Sequence, residues 1–156
     1  MDVALREITD ADEDAFFAHK RDPEAVWMAA FTAADPDDRE AFDAHRRRVR
    51  ARPDVVERAI TLDGELVGSI ATFEIEGDTE ITYWVDRAYW GRGIAGRAVR
   101  LMLDEVTTRP IVARAAADNV ASLRVLAKAG FEDVGAGRGY ANARRAEIDE
   151  RVLRLE

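Results

Sequence analysis

Tyr83-Trp84-Val85-Asp86-Arg87-Ala88-Tyr89-Trp90-Gly91-Arg92-Gly93-Ile94-Ala95-Gly96-Arg97 is the stretch on which the fold turns. It enters as a strand, because Ile81, Tyr83 and Val85 alternate onto one face. It leaves as a helix, because Ala95, Val99, Met102 and Val106 recur at helical spacing, with Arg97, Arg100 and Asp104 elsewhere. Gly91, Gly93 and Gly96 lie at the change of period. Glycine lets backbone N–H groups approach a ligand closely. A helix start adds unpaired donors and the positive end of a dipole. Together they predict an anion site, with Arg92 and Arg97 supplying charge suited to phosphate. The competing structural reading is a plain turn whose glycines ease tight packing.

Residues 91–96 also spell Gly-x-Gly-x-x-Gly, the dinucleotide fingerprint. Asp118 even lies about 20 residues further on, where a ribose-binding acid is expected. Three features oppose that reading. The glycines do not follow the strand at once, since Asp86 to Trp90 intervene. The preceding strands form hairpins. Too little chain remains for a parallel set. A nucleotide triphosphatase loop fails because no Lys-Ser or Lys-Thr follows.

Upstream, Val3 to Ile8 alternates as a strand, and Thr9 and Asp10 look like caps of a helix over Asp12 to Phe17. Pro23 suits the start of a second helix with Val26, Trp27, Ala30 and Phe31 on one side. Asp35-Pro36-Asp37 opens a third, highly charged helix running towards Arg52, in which Arg46-Arg47-Arg48 reads as a solvated face. Val56 to Leu62 and Glu65 to Glu76 read as strands joined at Asp63-Gly64, with Gly77-Asp78 as the next turn. Downstream, Ile111 to Ala117 is a strand after Pro110. Asp118 or Asn119 caps a helix with Val120, Leu123 and Ala127 inward, and Gly130 stops it. Phe131 to Val134 and Val152 to Leu155 read as the last strands. An antiparallel meander followed by a strand-helix-strand unit predicts a mixed sheet in an α/β domain.

The 156 residues suit one domain over 1–156. With 47% apolar and 35% charged residues, the chain builds a core and is not disordered. It has no cysteine, so neither disulfides nor thiol chemistry contribute. His19 and His45 stand apart in charged stretches, so no metal site is expected. No signal peptide precedes the first strand and no run approaches the ~18 apolar residues of a membrane span, so a cytoplasmic location is expected. The net charge of −8 argues against nucleic acid as a partner. It suits a cationic amine, and it equally serves solubility.

Trp90-Gly91-Arg92-Gly93-Ile94-Ala95 resembles the Gln/Arg-x-x-Gly-x-Gly/Ala loop of the GNAT superfamily of N-acetyltransferases, with Trp90 in place of the Gln or Arg. The run from Tyr83 to Ala95 is similar to the ribosomal-protein N-terminal (RimJ/RimL-like) branch. A second motif, Asn119-Val120-Ala121-Ser122 with Lys128-Ala129-Gly130-Phe131, resembles that branch's Asn-x-x-Ser…Lys-x-Gly-Phe helix. The likeness is weakest from Ala25 to Arg52, where this superfamily builds its acceptor site.

The resemblance implies a mixed, mostly antiparallel sheet of six to seven strands, with helices on both faces and a V-shaped splay between two central parallel strands. It implies acetyl-CoA as cosubstrate and an amine acceptor, either a small molecule or a protein N-terminus. By the same likeness, backbone groups of Trp84 and Val85 meet the pantetheine arm. Trp90, Gly91, Arg92, Gly93, Ile94, Ala95, Gly96 and Arg97 form the pyrophosphate loop. Asn119 and Ser122 face the thioester, and Lys128 is either a cofactor contact or a solvated lysine. Homodimers occur in such a family, so a homodimer is compatible with it. Glu80 is the candidate base, with Glu74 and Glu76 as competitors and a solvent-facing strand carboxylate as the plain reading of each. Many relatives carry a tyrosine as acid where Leu126 stands. Ser122 is the nearest replacement, with Tyr83 and Tyr140 as further candidates. Trp27, Met28 and Phe31 are candidates for an acceptor pocket. An acyl-CoA-binding regulator without turnover and a nicotinamide-dependent reductase are the competing functions.

Overall fold

The computed structural model describes residues Met1–Glu156. Its elements run β1 (Val3–Arg6), α1 (Asp12–His19), α2 (Pro23–Ala29), α3 (Arg39–Ala51), β2 (Val56–Leu62), β3 (Glu65–Ile75) and β4 (Asp78–Val85). A single 3₁₀ turn (Arg87–Tyr89) follows, then α4 (Ile94–Glu105), β5 (Ile111–Ala116), α5 (Val120–Lys128), β6 (Glu132–Ala141) and β7 (Ala146–Leu155). The strands form one seven-stranded sheet in the order β1-β2-β3-β4-β5-β7-β6. Every neighbouring pair is antiparallel except β4 and β5. This is the mixed, mostly antiparallel architecture expected. A dinucleotide fold needs a parallel set, and one parallel pair does not supply it.

Successive strand residues point to opposite faces. Arg58 pairs with Glu105 of α4, whereas Glu57 pairs with Arg46 of α3. So α4 and α3 cover opposite faces. On the α4 face lies the main core, where Ile60, Val67, Ile70, Ile81 and Ile111 meet Ile94, Val99, Met102 and Leu126.

The opposite face is held together differently. Arg46 is only 6% exposed. Its Nε and Nη2 donate to Glu13 at 2.7 and 3.0 Å, and its Nη1 and Nη2 donate to Glu57 at 2.7 Å each. The guanidinium also lies over the Phe16 ring. Burial alone would lower its pKa, but the hydrogen bonds to Glu57 and Glu13 outweigh burial and hold it above the ordinary value. The expected solvated face is therefore corrected at Arg46. The residue tethers α3 to α1 and β2, because carboxylates from both elements converge on it.

Both early hairpins turn on paired positive φ angles, at Asp63-Gly64 (50° and 86°) and Glu76-Gly77 (51° and 86°). The second turn thus sits one residue before the expected Gly77-Asp78. A two-residue hairpin of this twist needs positive φ at both centres, and Asp78 already pairs with Ile75. The last hairpin is also longer than expected. Gly135, Gly137 and Gly139 recur along β6 and weaken its strand signal, and β7 is heavily charged. Helix α5 is rotated from its expected phase. Leu126 is its buried residue, while Val120 and Ala127 are exposed.

Replacing Arg46 with Met is expected to cost about 3–5 kcal/mol, because the nearly buried Glu57 loses its ion-pair partner and Glu13 keeps only Arg50 at 3.6 Å. The denaturant midpoint reads this, and a triple change that also makes Glu13 and Glu57 Gln recovers most of the loss. A second outcome concerns acid. Asp12 is buried, accepts from both Arg6 nitrogens and from the Thr9 N–H, and is held down to about 2, first by the Arg6 hydrogen bond. A depressed carboxylate stabilises the fold above its unfolded value, so this contribution is lost as pH falls from ~4 towards 2. Asp12→Asn is expected to remove on the order of 1–2 kcal/mol at neutral pH, after allowing for screening at the half-exposed Arg6, and to flatten the acid limb of the stability curve.

Candidate active site

Strands β4 and β5 are in register only at Thr79↔Ile111 and Glu80↔Val112. Beyond that point each strand keeps its outer partner. β3 follows β4 to Val85, and β7 follows β5 to Ala116. The two central strands therefore diverge into a V, and the backbone of β4 facing the opening has no ladder partner. Gly68 permits this geometry on the other side of β4. A Cβ there would overlap the Trp84 carbonyl oxygen, so only glycine lets β3 approach so closely.

The glycine loop lies at the end of β4. Gly91 and Gly93 take left-handed φ angles of 77° and 76°, and Gly93 is the N-cap of α4 without a side-chain cap. No N–H from Gly91 to Gly96 finds an acceptor within the protein. Those donors and the helix dipole converge on one spot, where an anion is favoured. Neither Arg92 nor Arg97 is held by a carboxylate, and Arg92 rests over the Tyr89 ring. Trp90 has a local task, since its Nε1 donates to the Val85 carbonyl at 2.9 Å. This ties the loop to the end of β4 and occupies one Val85 group expected to meet the pantetheine arm.

Two cavities open from the V. One of about 330 Å³ is lined by Trp84, Val85, Trp90, Gly91, Gly93, Ile94, Ala95 and Gly96, with Met28 and Tyr89. The other, of about 730 Å³, lies towards α1 and α3 and is lined by Lys20, Phe31, His45, Thr82 and Arg114 among others. Both touch Ala29, Tyr83, Trp84, Asn119 and Ser122. The expected helix residues and β4 thus form a wall common to both cavities.

Asn119 caps α5 by accepting from the Ser122 N–H at 3.2 Å, and its Nδ2 donates to the Met28 carbonyl at 3.4 Å. The Ser122 and Tyr83 hydroxyl oxygens lie 2.6 Å apart. Burial raises the Tyr83 phenol above its ordinary value, partly offset by the Ser122 hydrogen bond. Tyr83 therefore keeps its proton at neutral pH and can donate through Ser122. Leu126, 1% exposed, belongs to the core and the wall of the larger cavity.

Glu80 is buried where the V closes and lines neither cavity. Its carboxylate accepts from Arg114 Nε at 2.8 Å, and the same guanidinium reaches Glu150 at 3.4 Å. Arg114 and Glu150 do line the larger cavity. Glu74 and Glu76 are exposed near the other end of β3. The expected pocket trio is divided: Met28 lines the smaller cavity, Phe31 the larger, and Trp27 neither. Trp27 is 54% exposed and instead carries the Arg144 guanidinium over its ring at 4.4 Å. Tyr140 and Lys128 are exposed and line neither cavity. Lys20, Arg114 and Glu150 escaped sequence reasoning. Charges on α1, in an apolar strand and on β7 carry no local signal of convergence.

Residues 2–132 match the Acetyltransferase (GNAT) domain model. The chain belongs to the GNAT acetyltransferase family. It is 29% identical over 166 residues to the probable N-acetyltransferase YjcK of Bacillus subtilis (strain 168), covering 96% of this chain and 90% of that one. The Mycobacterium smegmatis RimJ structure in complex with CoA-disulfide superimposes with a TM-score of 0.84 at 25% identity, over 98% of this chain and 81% of that one. RimL, the ribosomal L7/L12 α-N-protein acetyltransferase in complex with coenzyme A, gives a TM-score of 0.82 at 18% identity, over 98% and 93%. The family and its ribosomal-protein branch thus agree with the motif reading of the glycine loop and the Asn119–Ser122 helix start.

Substituting Gly93 with Val is expected to weaken coenzyme A binding about tenfold, since a β-branched residue at φ 76° costs on the order of 1–2 kcal/mol and tilts the donors away. The loss of coenzyme-A-induced thermal stabilisation measures it.

Proposed function

We propose that the protein transfers the acetyl group of acetyl-CoA to a primary amine by direct attack in a ternary complex. The observation that carries this reading is the hydroxyl pair of Tyr83 and Ser122, which forms a wall common to a cavity ending on free loop N–H groups and to a second cavity of different lining. The pyrophosphate is assigned to the N–H groups of Gly91 to Gly96, with Arg92 and Arg97 near it. The pantetheine arm is assigned to the V beside Trp84, Val85 and Asn119. The acceptor amine enters from the larger cavity.

In the transfer the amine nitrogen bonds to the acetyl carbon and the carbon–sulfur bond breaks. An unpaired β4 N–H facing the V serves the oxyanion, as preorganised donors do. The departing thiolate takes a proton from Ser122, which Tyr83 replenishes through their hydrogen bond. A lysine-type amine titrates near ~10.4 and an α-amine near ~8, so a proton must leave the acceptor. Glu150 is assigned to receive it, directly or through water, because it lines the acceptor cavity. Glu80 shares Arg114 with it and is assigned a positioning role. Gly137 supports this arrangement, since a Cβ there would come within 2.8 Å of a Glu150 carboxylate oxygen.

Thiol release with a panel of amines and N-terminal peptides tests the activity. Ser122→Ala and Tyr83→Phe are each expected to lower kcat by roughly 10- to 100-fold with little change in the KM for acetyl-CoA. Glu150→Gln is expected to lower the rate at neutral pH and to regain part of it as pH rises and the amine deprotonates by itself. Stabilisation by NADH but not by coenzyme A contradicts the proposal. A second reading rests on Leu126, which cannot donate a proton: coenzyme A binding without thiol release from any acceptor would make the protein an acyl-CoA-binding regulator.

A further inference from the structure

Charged side chains of both signs line the larger cavity, and they differ in what they bond. Each acid on its wall already has a donor. Asp35 accepts from the Asp37 N–H, Asp38 caps α3 through the Ala41 N–H, and Glu150 accepts from Arg114. Arg114 is in turn held by Glu80 and Glu150. The three remaining basic side chains, Lys20, His45 and Arg48, have no ion-pair or hydrogen-bond partner at all.

These groups form one wall. His45 and Arg48 are three apart on α3 and so share a helix face. Lys20 comes from the end of α1, with its Nζ 5.7 Å from the centre of the Trp84 ring. Two buried polar atoms on the same lining also lack partners, the Trp84 Nε1 donor and the Thr32 hydroxyl. The neighbouring charges do not relieve the cations. Glu13 and Glu57 lie near Lys20, but both are spent on Arg46. Burial, and then Arg46, lowers the Lys20 amine, with Glu57 and Glu13 pulling the other way. Burial, then Lys20, Arg48 and Arg46, lowers His45 against an opposing pull from Glu57. No carboxylate of the protein bonds to Lys20, His45 or Arg48, and the unpartnered Trp84 Nε1 donor faces the same space.

We propose that the wall formed by Lys20, His45 and Arg48 is an anion subsite, and that the acceptor is a primary amine carrying a carboxylate. This rests on the acetyl-transfer reading above. The acceptor lies along the larger cavity, its amine at Tyr83 and Ser122 and its carboxylate at Lys20 and Arg48, with the Trp84 indole N–H as a further donor. Both a free amino acid and a peptide with an acidic residue near its N-terminus offer this chemistry.

Matched acceptors that differ only in charge test the subsite. They are β-alanine against β-alaninamide, γ-aminobutyrate against its amide, and a tripeptide beginning Ser-Asp against one beginning Ser-Asn. In at least one pair kcat/KM is expected to favour the carboxylate by about tenfold, the worth of one charged hydrogen bond. A preference confined to the tripeptides assigns the carboxylate to a protein acceptor, and one confined to the amino acids assigns it to a small molecule. The preference is expected to fall severalfold in Lys20→Met and in Arg48→Gln through the acceptor KM. Arg48 is exposed, so its replacement keeps the fold even if that of Lys20 does not. Equal or better use of the amides, or a preference unchanged in both variants, overturns the subsite. Calorimetric titration with the same acceptors separates the two proposals. Carboxylate binding that Arg48→Gln weakens, in protein that releases no thiol, retains the subsite and removes acetyl transfer. Thiol release that favours the amides does the reverse, and absence of both binding and turnover overturns the subsite.

Discussion

The parting of β4 from β5 after Glu80 and Val112 is the constraint on which the rest of the site depends. A sheet interior that lost its ladder without replacement would leave buried polar backbone, at a cost comparable to the hydrogen bonds forgone. Here the loss is confined to the inner edges of two strands whose outer edges stay paired with β3 and β7. The gap offers backbone donors where a ligand can use them, and two cavities with a common wall open beside it.

The surroundings of the V are built to hold it open. On one face the apolar core anchors α4, whose start carries the N–H groups of the glycine loop. The Trp90 indole fastens that loop back to Val85. On the other face the helices pack less apolar surface and are tied by charge, with Arg46 as the knot between α1, α3 and β2. A buried ion pair contributes little net stability against an apolar replacement, but breaking it by removing one partner is costly, so it holds α1, α3 and β2 together. That tie sets the wall of the larger cavity.

The Glu80–Arg114–Glu150 chain illustrates how function spreads beyond a motif. Glu80 lies early in the strand leading to the site, and its position alone suggested a base. Its neighbour across the closed end of the V, Arg114, engages it and passes its influence to Glu150, three strands away in chain order. A glycine at 137 leaves room for the Glu150 carboxylate. No local pattern relates these four residues, because each is placed by a different strand of the sheet.

What the sequence determined by itself was whatever depends on near neighbours. The glycine loop, the α4 start, the Asn119 cap of α5, the early hairpins and the mixed sheet follow from backbone freedom, capping and period, all set within a few residues. Signals weakened where local propensity was poor, as along the glycine-rich β6, or where a helix phase was set by packing, as in α5. The tertiary structure alone decided which charges meet. It buried Arg46, which its own helix would leave in water, moved Glu80 out of the cavities, brought Tyr83 to Ser122, and left Lys20 without a partner. Electrostatic partnership is a property of distance in space. Chain positions 33 or 39 residues apart carry no record of it until the sheet is assembled.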